Sequence, residues 1–369
     1  MTGALNKVWL AGLILGAAGI AVSRGAALSP GGDFFRDVVV ENRFFSPPSV
    51  PILRVRTAQA CRLNVLVYDS DNRVVALESP ANLGTEWKLA LEKLPPLSDG
   101  LYLFCLVAGD ESAKRLAVYP ADPGGGETIK VADAQLDREH RTINYILPHA
   151  ARVRSRVGFK DGPYLQPLLS WQAQPAGRHS IPWDGKCQNG IFQNLYENPV
   201  AQVIVTAVSL PANILVAENT AEKPGSQHRA AEAVSVPSGL ADLTSPPWSK
   251  RKFMQVSSAG MWMGKDYRVL LAIHVNAEDQ TVTLGVNCHP DDRERLLNRR
   301  FELTMFLDGV YISEDEVGLL PFNHRMATRG ITPGKHALTV NVVDSDGNVG
   351  AASEEFVVVS AKGSFHENK

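Results

Sequence analysis

The protein has 369 residues and a formal net charge of −2, and 44% of its residues are hydrophobic while 21% are charged. This near-neutral balance, without a basic tail or an arginine-rich run, excludes the electrostatic pattern of a nucleic-acid-binding protein. A chain of this length has enough apolar surface to build two or three domains of about a hundred residues each.

The N-terminus carries an uncharged, mostly apolar run over residues 8–23, flanked by Lys7 and Arg24. This pattern is typical of an export signal, and the small residues at 25–27 would supply a cleavage site. The same run also fits an uncleaved membrane-anchor helix within residues 1–28, although a typical spanning helix has about 20 residues. Either interpretation predicts that the rest of the chain lies outside the cytoplasm, on the periplasmic side.

We favour the anchor, because Arg24 lies awkwardly close to the cleavage site. Gly12 and Gly16 form a small-xxx-small pair, which allows a second membrane helix to approach closely. Lys7 would remain on the cytoplasmic side, in line with the positive-inside rule. The sequence therefore predicts a tether to the inner membrane, with the lipid bilayer and a neighbouring membrane protein as partners.

Four cysteines suit an oxidising compartment. Cys61 and Cys105 each lie in an apolar, strand-like run, and about forty residues separate them, as in two facing strands of one sandwich. We expect these two residues to form a disulfide, with two buried free thiols as the alternative. Cys187 and Cys288 lie in loop-like contexts, and the sequence leaves their pairing open.

Segments of alternating polarity, separated by Gly, Asp, Asn and Pro, follow one another through most of the chain, and no window predicts a long amphipathic helix. The fold class is therefore all-β, with two or three Ig-like or fibronectin-like β-sandwich domains after the N-terminal apolar helix. Turn-rich stretches set the predicted boundaries. They give domains over 34–122, 127–218 and 253–361, with a linker over 219–252.

The middle domain has the most specific local pattern. Its elements are an alternating strand, the Asp161-Gly162 turn, a second strand ending in Trp171, and a glycine-led strand that runs into Trp183. In this order they resemble the Ig-like module of the flagellar hook-cap protein, which recurs in exported bacterial proteins. The resemblance implies a β-sandwich in which Trp183 fills the core. Runs in the first and last domains, over residues 99–105 and 331–350, are similar to strands of bacterial Ig-like and fibronectin-like domains.

Two groups of residues are candidates for an interface. Arg152, Arg154 and Arg156 project from one face of one strand, which suits either an acidic partner or lipid headgroups, or else a solvated sheet face. Trp248 and Trp262 lie in and beside the long linker with several methionines, a composition typical of contact surfaces and also of cores.

Catalytic and cofactor motifs are missing from the sequence, which has no Gly-x-Ser-x-Gly elbow, no P-loop, no His-Glu-x-x-His and no Cys-x-x-Cys-His. Asp344, Asp346 and Asn348 resemble the start of a calcium loop, but Val349 occupies the position that requires glycine, which favours a hairpin turn. His289 beside Cys288 lacks a second cluster with ligand spacing. We therefore predict no catalytic residues, metals or cofactors.

These observations favour a non-catalytic structural or docking subunit of a larger membrane-associated assembly, such as a photosynthetic or respiratory complex. The alternative is a module that binds carbohydrate or another surface ligand, through exposed Trp side chains on a sandwich face.

Overall fold

The computed structural model describes residues 34–46, 48–69, 73–92, 94, 100–111, 114–119, 127–218 and 266–359. Within these ranges the protein is all-β, as predicted, with 22 strands and one short α-helix. The predicted N-terminal helix with Gly12 and Gly16, and the linker over 219–252, lie outside them. In the described part of the chain, no helix is long and apolar enough to cross a membrane.

The first domain is organised around one very long strand, β3, whose 17 residues belong to both layers of the sandwich. Its first half pairs with β1 and β5, and its second half pairs with β4 and β6. The strands are β1 (Phe35–Glu41), β2 (Phe44–Phe45), β3 (Ile52–Tyr68), β4 (Val74–Glu78), β5 (Gly84–Ala90), β6 (Gly100–Gly109) and β7 (Arg115–Tyr119).

The second half of β3 is buried on both faces. Leu63, Val65 and Val67 point into the core of the first domain, whereas Leu66 and Tyr68 point toward a second apolar cluster. Strands covered on both sides lose the polar-apolar alternation of a half-exposed strand, and the run from Leu63 to Tyr68 is accordingly apolar at every position except Asn64.

A strand that follows the middle domain completes the first sheet. β15 (Ile214–Ala217) pairs antiparallel with β6 and parallel with β2. The boundary drawn from the sequence placed residues 214–217 in the middle domain, but in the structure they are part of the first. Their four side chains are all buried, and a short apolar run of this kind does not indicate which sheet it joins.

The middle domain is a sandwich of two sheets, with strand orders β13-β10-β9 and β12-β11-β14-β8. Trp183 is buried in its core against Tyr196, whose hydroxyl donates to the Trp183 carbonyl at 2.9 Å. The strands are β8 (Thr128–Ile129), β9 (Ala132–Asp137), β10 (Thr142–Leu147), β11 (Ala151–Phe159), β12 (Tyr164–Gln174), β13 (Gly177–Pro182) and β14 (Ala201–Ser209).

The last domain is also a two-sheet sandwich, with strand orders β16-β17-β20 and β19-β18-β21-β22. A two-residue hairpin joins β18 to β19, and its residues Asp308 and Gly309 both have positive φ, as this turn requires. The elements are β16 (Val269–Asn276), β17 (Thr281–Cys288), α1 (Pro290–Leu297), β18 (Phe301–Leu307), β19 (Val310–Asp315), β20 (Phe322–Ala327), β21 (Gly334–Asp344) and β22 (Val349–Val358).

The predicted Cys61–Cys105 disulfide is wrong, because both thiols are free and buried. Cys105 is paired with Leu66 on β3, a position about 17 Å along the strand from Cys61. The two side chains also point to opposite faces, Cys61 toward the first core and Cys105 toward the second cluster. Burial raises the pKa of both thiols. Cys187 and Cys288 are likewise free and buried.

Candidate functional site: the joints between domains

The first and middle domains meet through an apolar cluster, which we call the first–middle joint. It contains Leu66, Tyr68 and Leu103 from the first domain, together with Leu210 and Ile214 from the chain segment that leaves the middle domain. Leu66, Leu103 and Ile214 have no exposed surface. This joint is therefore a continuation of a hydrophobic core.

Two polar side chains hold β15 within this joint. Asn213 donates its side-chain amide to the Phe104 carbonyl at 3.2 Å, and the Phe104 amide donates to the Asn213 carbonyl at 3.0 Å. Arg43 donates through Nε to the Ile214 carbonyl at 2.6 Å and through Nη2 to the Pro211 carbonyl. Burial lowers the pKa of Arg43 to about 10. These bonds satisfy backbone groups where the chain crosses between domains.

The arginine row on β11 lies largely against the protein's own surfaces. Arg154 is 8% exposed; its guanidinium stacks over the Trp171 ring at 4.5 Å and donates from Nη1 to the Gly347 carbonyl of the last domain at 3.2 Å. Arg152 donates from Nε to the Trp171 carbonyl at 2.8 Å. Arg156 lies over the Tyr164 ring at 5.8 Å. Arg154 therefore links the middle domain to the last.

The acidic residue that faces this row is Asp266, where the chain enters the last domain. Its Oδ1 lies 3.8 Å from Nη1 of Arg154, and its Oδ2 accepts from the Tyr164 hydroxyl at 3.3 Å. Burial raises the pKa of Asp266, and the positive charge of Arg156 opposes that rise. Burial also lowers the pKa of Arg156. The carboxylate and the two guanidiniums form a buried charged cluster between the domains.

This charged cluster is incompletely hydrogen-bonded within the described residues. Oδ1 of Asp266, Nε of Arg154 and Nε1 of Trp171 are buried without a hydrogen-bond partner there. A buried ion pair of this kind contributes little net stability, because desolvation of both charges offsets their attraction. Its directional geometry instead favours one orientation of the two domains over others.

Asn341 connects the same two domains through the backbone of Tyr164. The Tyr164 amide donates to Asn341 Oδ1 at 2.9 Å, and Asn341 Nδ2 donates to the Tyr164 carbonyl at 2.7 Å. Asn341 is 5% exposed. Its side chain thus satisfies one donor and one acceptor at the start of β12, as a neighbouring strand would.

Two tight turns complete this contact. A Cβ atom on Gly162 would lie 2.9 Å from the Gly309 carbonyl oxygen, so the Asp161-Gly162 turn and the Asp308-Gly309 hairpin approach at a distance that only glycine permits. We call the set of Arg154, Tyr164, Asp266 and Asn341 with these turns the middle–last joint.

Tyr267 fixes the entry of the chain into the last domain. Its hydroxyl donates to Asp344 Oδ2 at 2.6 Å, and the same carboxylate accepts from the amide and side chain of Asn348 at 2.9 and 2.8 Å. Because Asp344 is surrounded by donors, the candidate calcium loop is a hydrogen-bonded hairpin turn.

Three other features of the described residues were candidates for ligand binding: His289, the Trp side chains and a surface depression. His289 is the N-cap of α1, whose Asp291 amide donates to its Nδ1 at 3.4 Å, and the described residues contain no group of three or more metal-ligating side chains. Trp171 and Trp183 are buried and Trp87 is partly buried. A shallow polar depression of about 370 Å³ lies over Gln166 and the loop that contains Cys187.

Sequence reasoning selected Arg152, Arg154 and Arg156. It missed Asp266 and Tyr164, which contact this row, and Asn341, which binds the Tyr164 backbone. Trp248 and Trp262 lie outside the described residues. One signal was present: Asp266 and Tyr267 stand just before the apolar, strand-like run over residues 269–276. Asn341 lies in the middle of an alternating strand, and nothing local marks it as a contact with another domain.

No protein-family model matches the sequence, and no curated protein matches it. Among solved structures, the tetra-tandem repeat from the extending region of a large adhesion protein is similar over 88% of this chain and 74% of its own, at 12% identity and a TM-score of 0.21. The central fibronectin-III array of RIM-binding protein is similar over 90% of this chain and 100% of its own, at 9% identity and 0.19. The BSP domain of a biofilm-associated protein is similar over 89% of this chain and 67% of its own, at 8% identity and 0.18. The TM-scores are too low for these structures to identify a family.

Proposed function

We propose that the protein is a non-catalytic structural and docking subunit of a larger membrane-associated assembly. Its sandwich domains would lie on the periplasmic side, and the segment 1–28 would tether them to the inner membrane. The observation that carries this proposal is the pair of joints: in the described residues, buried contacts link each domain to the next. Such contacts restrain neighbouring domains relative to one another, and they do so more firmly where the contact is apolar.

The chemistry of the described residues agrees with this role. The arginines, Asp266 and the histidine at the α1 N-cap make structural contacts. Burial raises the pKa of Cys187 to about 12, and the negative charge of Asp184 acts in the same direction. A thiol with such a pKa remains protonated at neutral pH and is a weak nucleophile.

The experiment is gentle solubilisation of the native membrane, followed by purification of the tagged full-length chain and identification of what accompanies it. We expect a stable complex for the native sequence. The Gly12→Leu, Gly16→Leu variant should reach the membrane but lose its partners, because larger side chains block close helix approach.

The matched control is Ala18→Leu, Ala21→Leu, which adds two leucines on the opposite face of the predicted helix. This control should retain the complex. Purification of the native chain only as a monomer would contradict the proposed function. A mature N-terminus near Leu28 would contradict the tether.

A further inference from the structure

The last domain is much more acidic than the rest of the chain. Residues 266–359 contain fifteen Asp and Glu against eight Lys and Arg, a formal net charge of −7, whereas the whole chain has −2. The stretch 301–324, which includes β18 and β19, has five of these acidic residues and neither lysine nor arginine. Other carboxylates of the domain have a basic partner, as Asp292 has in Arg268. In the described part of the chain, Glu314, Asp315 and Glu316 form no ion pair.

Exposed apolar side chains lie on either side of this acidic run. Leu319, Val310 and Val317 are the three most exposed large apolar residues that the structure describes, at 70%, 67% and 67%. Tyr311 is exposed as well. Apolar side chains gathered on one exposed segment mark an interaction site, whereas the same residues scattered singly do not. We call this segment the β19 surface, and it consists of Val310, Tyr311, Glu314, Glu316, Val317 and Leu319.

Backbone contacts fix the loop that carries Val317 and Leu319. Asp315 Oδ1 accepts from the Val317 amide at 2.9 Å, and the Gly318 amide donates to the Phe301 carbonyl at 2.8 Å. Gly318 also lies so close to the buried Phe301 ring that a side chain would not fit between them. The fold therefore holds Val317 and Leu319 in solvent. A surface that is ordered before binding loses less conformational entropy when a partner binds.

β19 also presents an edge of its sheet. In the described residues it pairs only with β18, whereas the chain enters the domain at the opposite edge, where Tyr267 forms a bridge with Gly350 of β22. The pairing with β18 shifts register beside Ile312, so β19 is not a regular template along its whole length. Backbone pairing with another strand would be short. Side-chain chemistry must therefore select what binds.

The acidic run excludes several occupants. Two copies of the β19 surface paired together would set like charges on facing strands, which is destabilising. Anionic lipid headgroups and nucleic-acid phosphates would be repelled for the same reason. A polypeptide that alternates basic and apolar side chains would instead satisfy both the carboxylates and the exposed Val and Leu side chains.

We propose that the β19 surface docks an extended segment of a partner protein that carries lysine or arginine together with apolar side chains. This inference rests on the proposed docking function and deepens it, because it assigns the docking surface and the class of partner. Main-chain pairing along the edge supplies part of the affinity, and charge complementarity supplies the specificity and a fast association rate.

The test uses the solubilised full-length chain and a synthetic peptide of alternating lysine and valine. The peptide should bind, should slow hydrogen exchange of the amides at 310–315, and should bind more weakly as the salt concentration rises. The Glu314→Lys, Glu316→Lys variant should lose about tenfold or more in affinity, because two attractions become repulsions. A peptide of alternating glutamate and valine should bind this variant better than it binds the native chain.

The matched control is Glu278→Lys, Glu354→Lys, which makes the same change in net charge at two exposed positions away from β19. This control should bind the lysine-valine peptide as the native chain does. An equal loss of affinity in both variants would show only an effect of overall charge and would overturn the inference. The Val317→Ser, Leu319→Ser variant should also bind the peptide more weakly, and unchanged affinity would contradict the apolar part of the surface.

Hydrogen exchange in the absence of peptide tests the other occupants. Slow β19 exchange at every protein concentration would mean that this chain covers its own edge, and slowing that increases with concentration would assign the edge to a second copy. Either result would overturn the inference. In the purified native complex, β19 amides that exchange as fast as in the isolated chain would overturn it and leave the proposed function intact. A native chain that purifies only as a monomer would contradict the proposed function itself.

Discussion

The two joints of the molecule hold neighbouring domains by different physical means. The first–middle joint is an apolar cluster crossed by a strand that belongs to the first sheet. The middle–last joint consists mainly of arginine, aspartate, tyrosine and asparagine side chains that make directed contacts. Apolar burial stabilises a contact without selecting one orientation. Hydrogen bonds and ion pairs fix an orientation but add little net free energy of stabilisation. We therefore expect the first–middle joint to resist separation. We expect changes in solution conditions to affect mainly the middle–last joint.

Removal of the indole that fills the middle domain should have the largest effect, because both joints depend on that domain. Trp183→Ala should destabilise the protein by about 3–5 kcal/mol, as loss of a buried Trp typically does. Chemical unfolding of the full chain, followed with hydrogen exchange in each domain, measures this loss. Val200→Ala, at a site 46% exposed in the same domain, is the control. An unchanged unfolding profile for Trp183→Ala would contradict the buried position of this residue.

Truncation of β15 should weaken the first–middle joint. Ile214→Ala removes a fully buried side chain, and we expect a loss of about 2–4 kcal/mol that is shared between the two domains. The measurement is whether the unfolding transitions of the first and middle domains shift together. Leu116→Ala, on an exposed position of β7, should have a small effect. A shift confined to the middle domain would mean that β15 does not stabilise the first sheet.

The middle–last joint should respond to Asn341→Ala without a large change in either core. The substitution leaves the amide and carbonyl of Tyr164 buried without these partners, at a cost of about 1–3 kcal/mol. Small-angle scattering should show a wider spread of domain orientations, while the secondary structure remains unchanged. Asn323→Ala, on the exposed face of β20, is matched in chemistry and should leave the scattering unaltered.

The smallest effect should be a pH dependence of the hairpin that contacts Gly162. His336 faces two acceptors, Asp308 Oδ2 at 2.6 Å and the Thr332 carbonyl at 2.7 Å, and the hydrogen bond to Asp308 is the main reason that its pKa is raised. The imidazolium form satisfies both. This stabilisation is fully present below the unfolded pKa, which is about 6.5. It is lost as the pH rises through the higher folded pKa.

The variant His336→Gln removes this titration. The protection factor of the Asp308-Gly309 turn amides, which removes the pH dependence of exchange in an unstructured chain, should vary across neutral pH in the native protein and should be constant in the variant. A turn that opens equally in both proteins would show that His336 is not the group responsible.

Local patterns predicted the strands well and their partners poorly. Period-two alternation indicated the all-β class, and the aromatic-rich middle pattern placed Trp183 inside. Cys61 and Cys105 each lie in a buried strand, as expected. Alternation alone does not show that these two strands are neighbours in one sheet, or that the two thiols point to opposite faces of it. The arginine row was visible, whereas its partner Asp266 was not, because long-range contacts depend on how domains pack.

The route of the chain through the first domain has a consequence for how the molecule is made. Leu103 on β6 pairs with Ile214 on β15, so a ribosome must complete the whole middle domain before the first sheet can be finished. Contacts between residues this distant in sequence form slowly, since the intervening chain must first be ordered. Until then β6 and β2 each lack a neighbour, and exposed strand edges attract other unfinished chains. The early folding intermediate, and not the native protein, is therefore the species for which we expect chaperone assistance to matter.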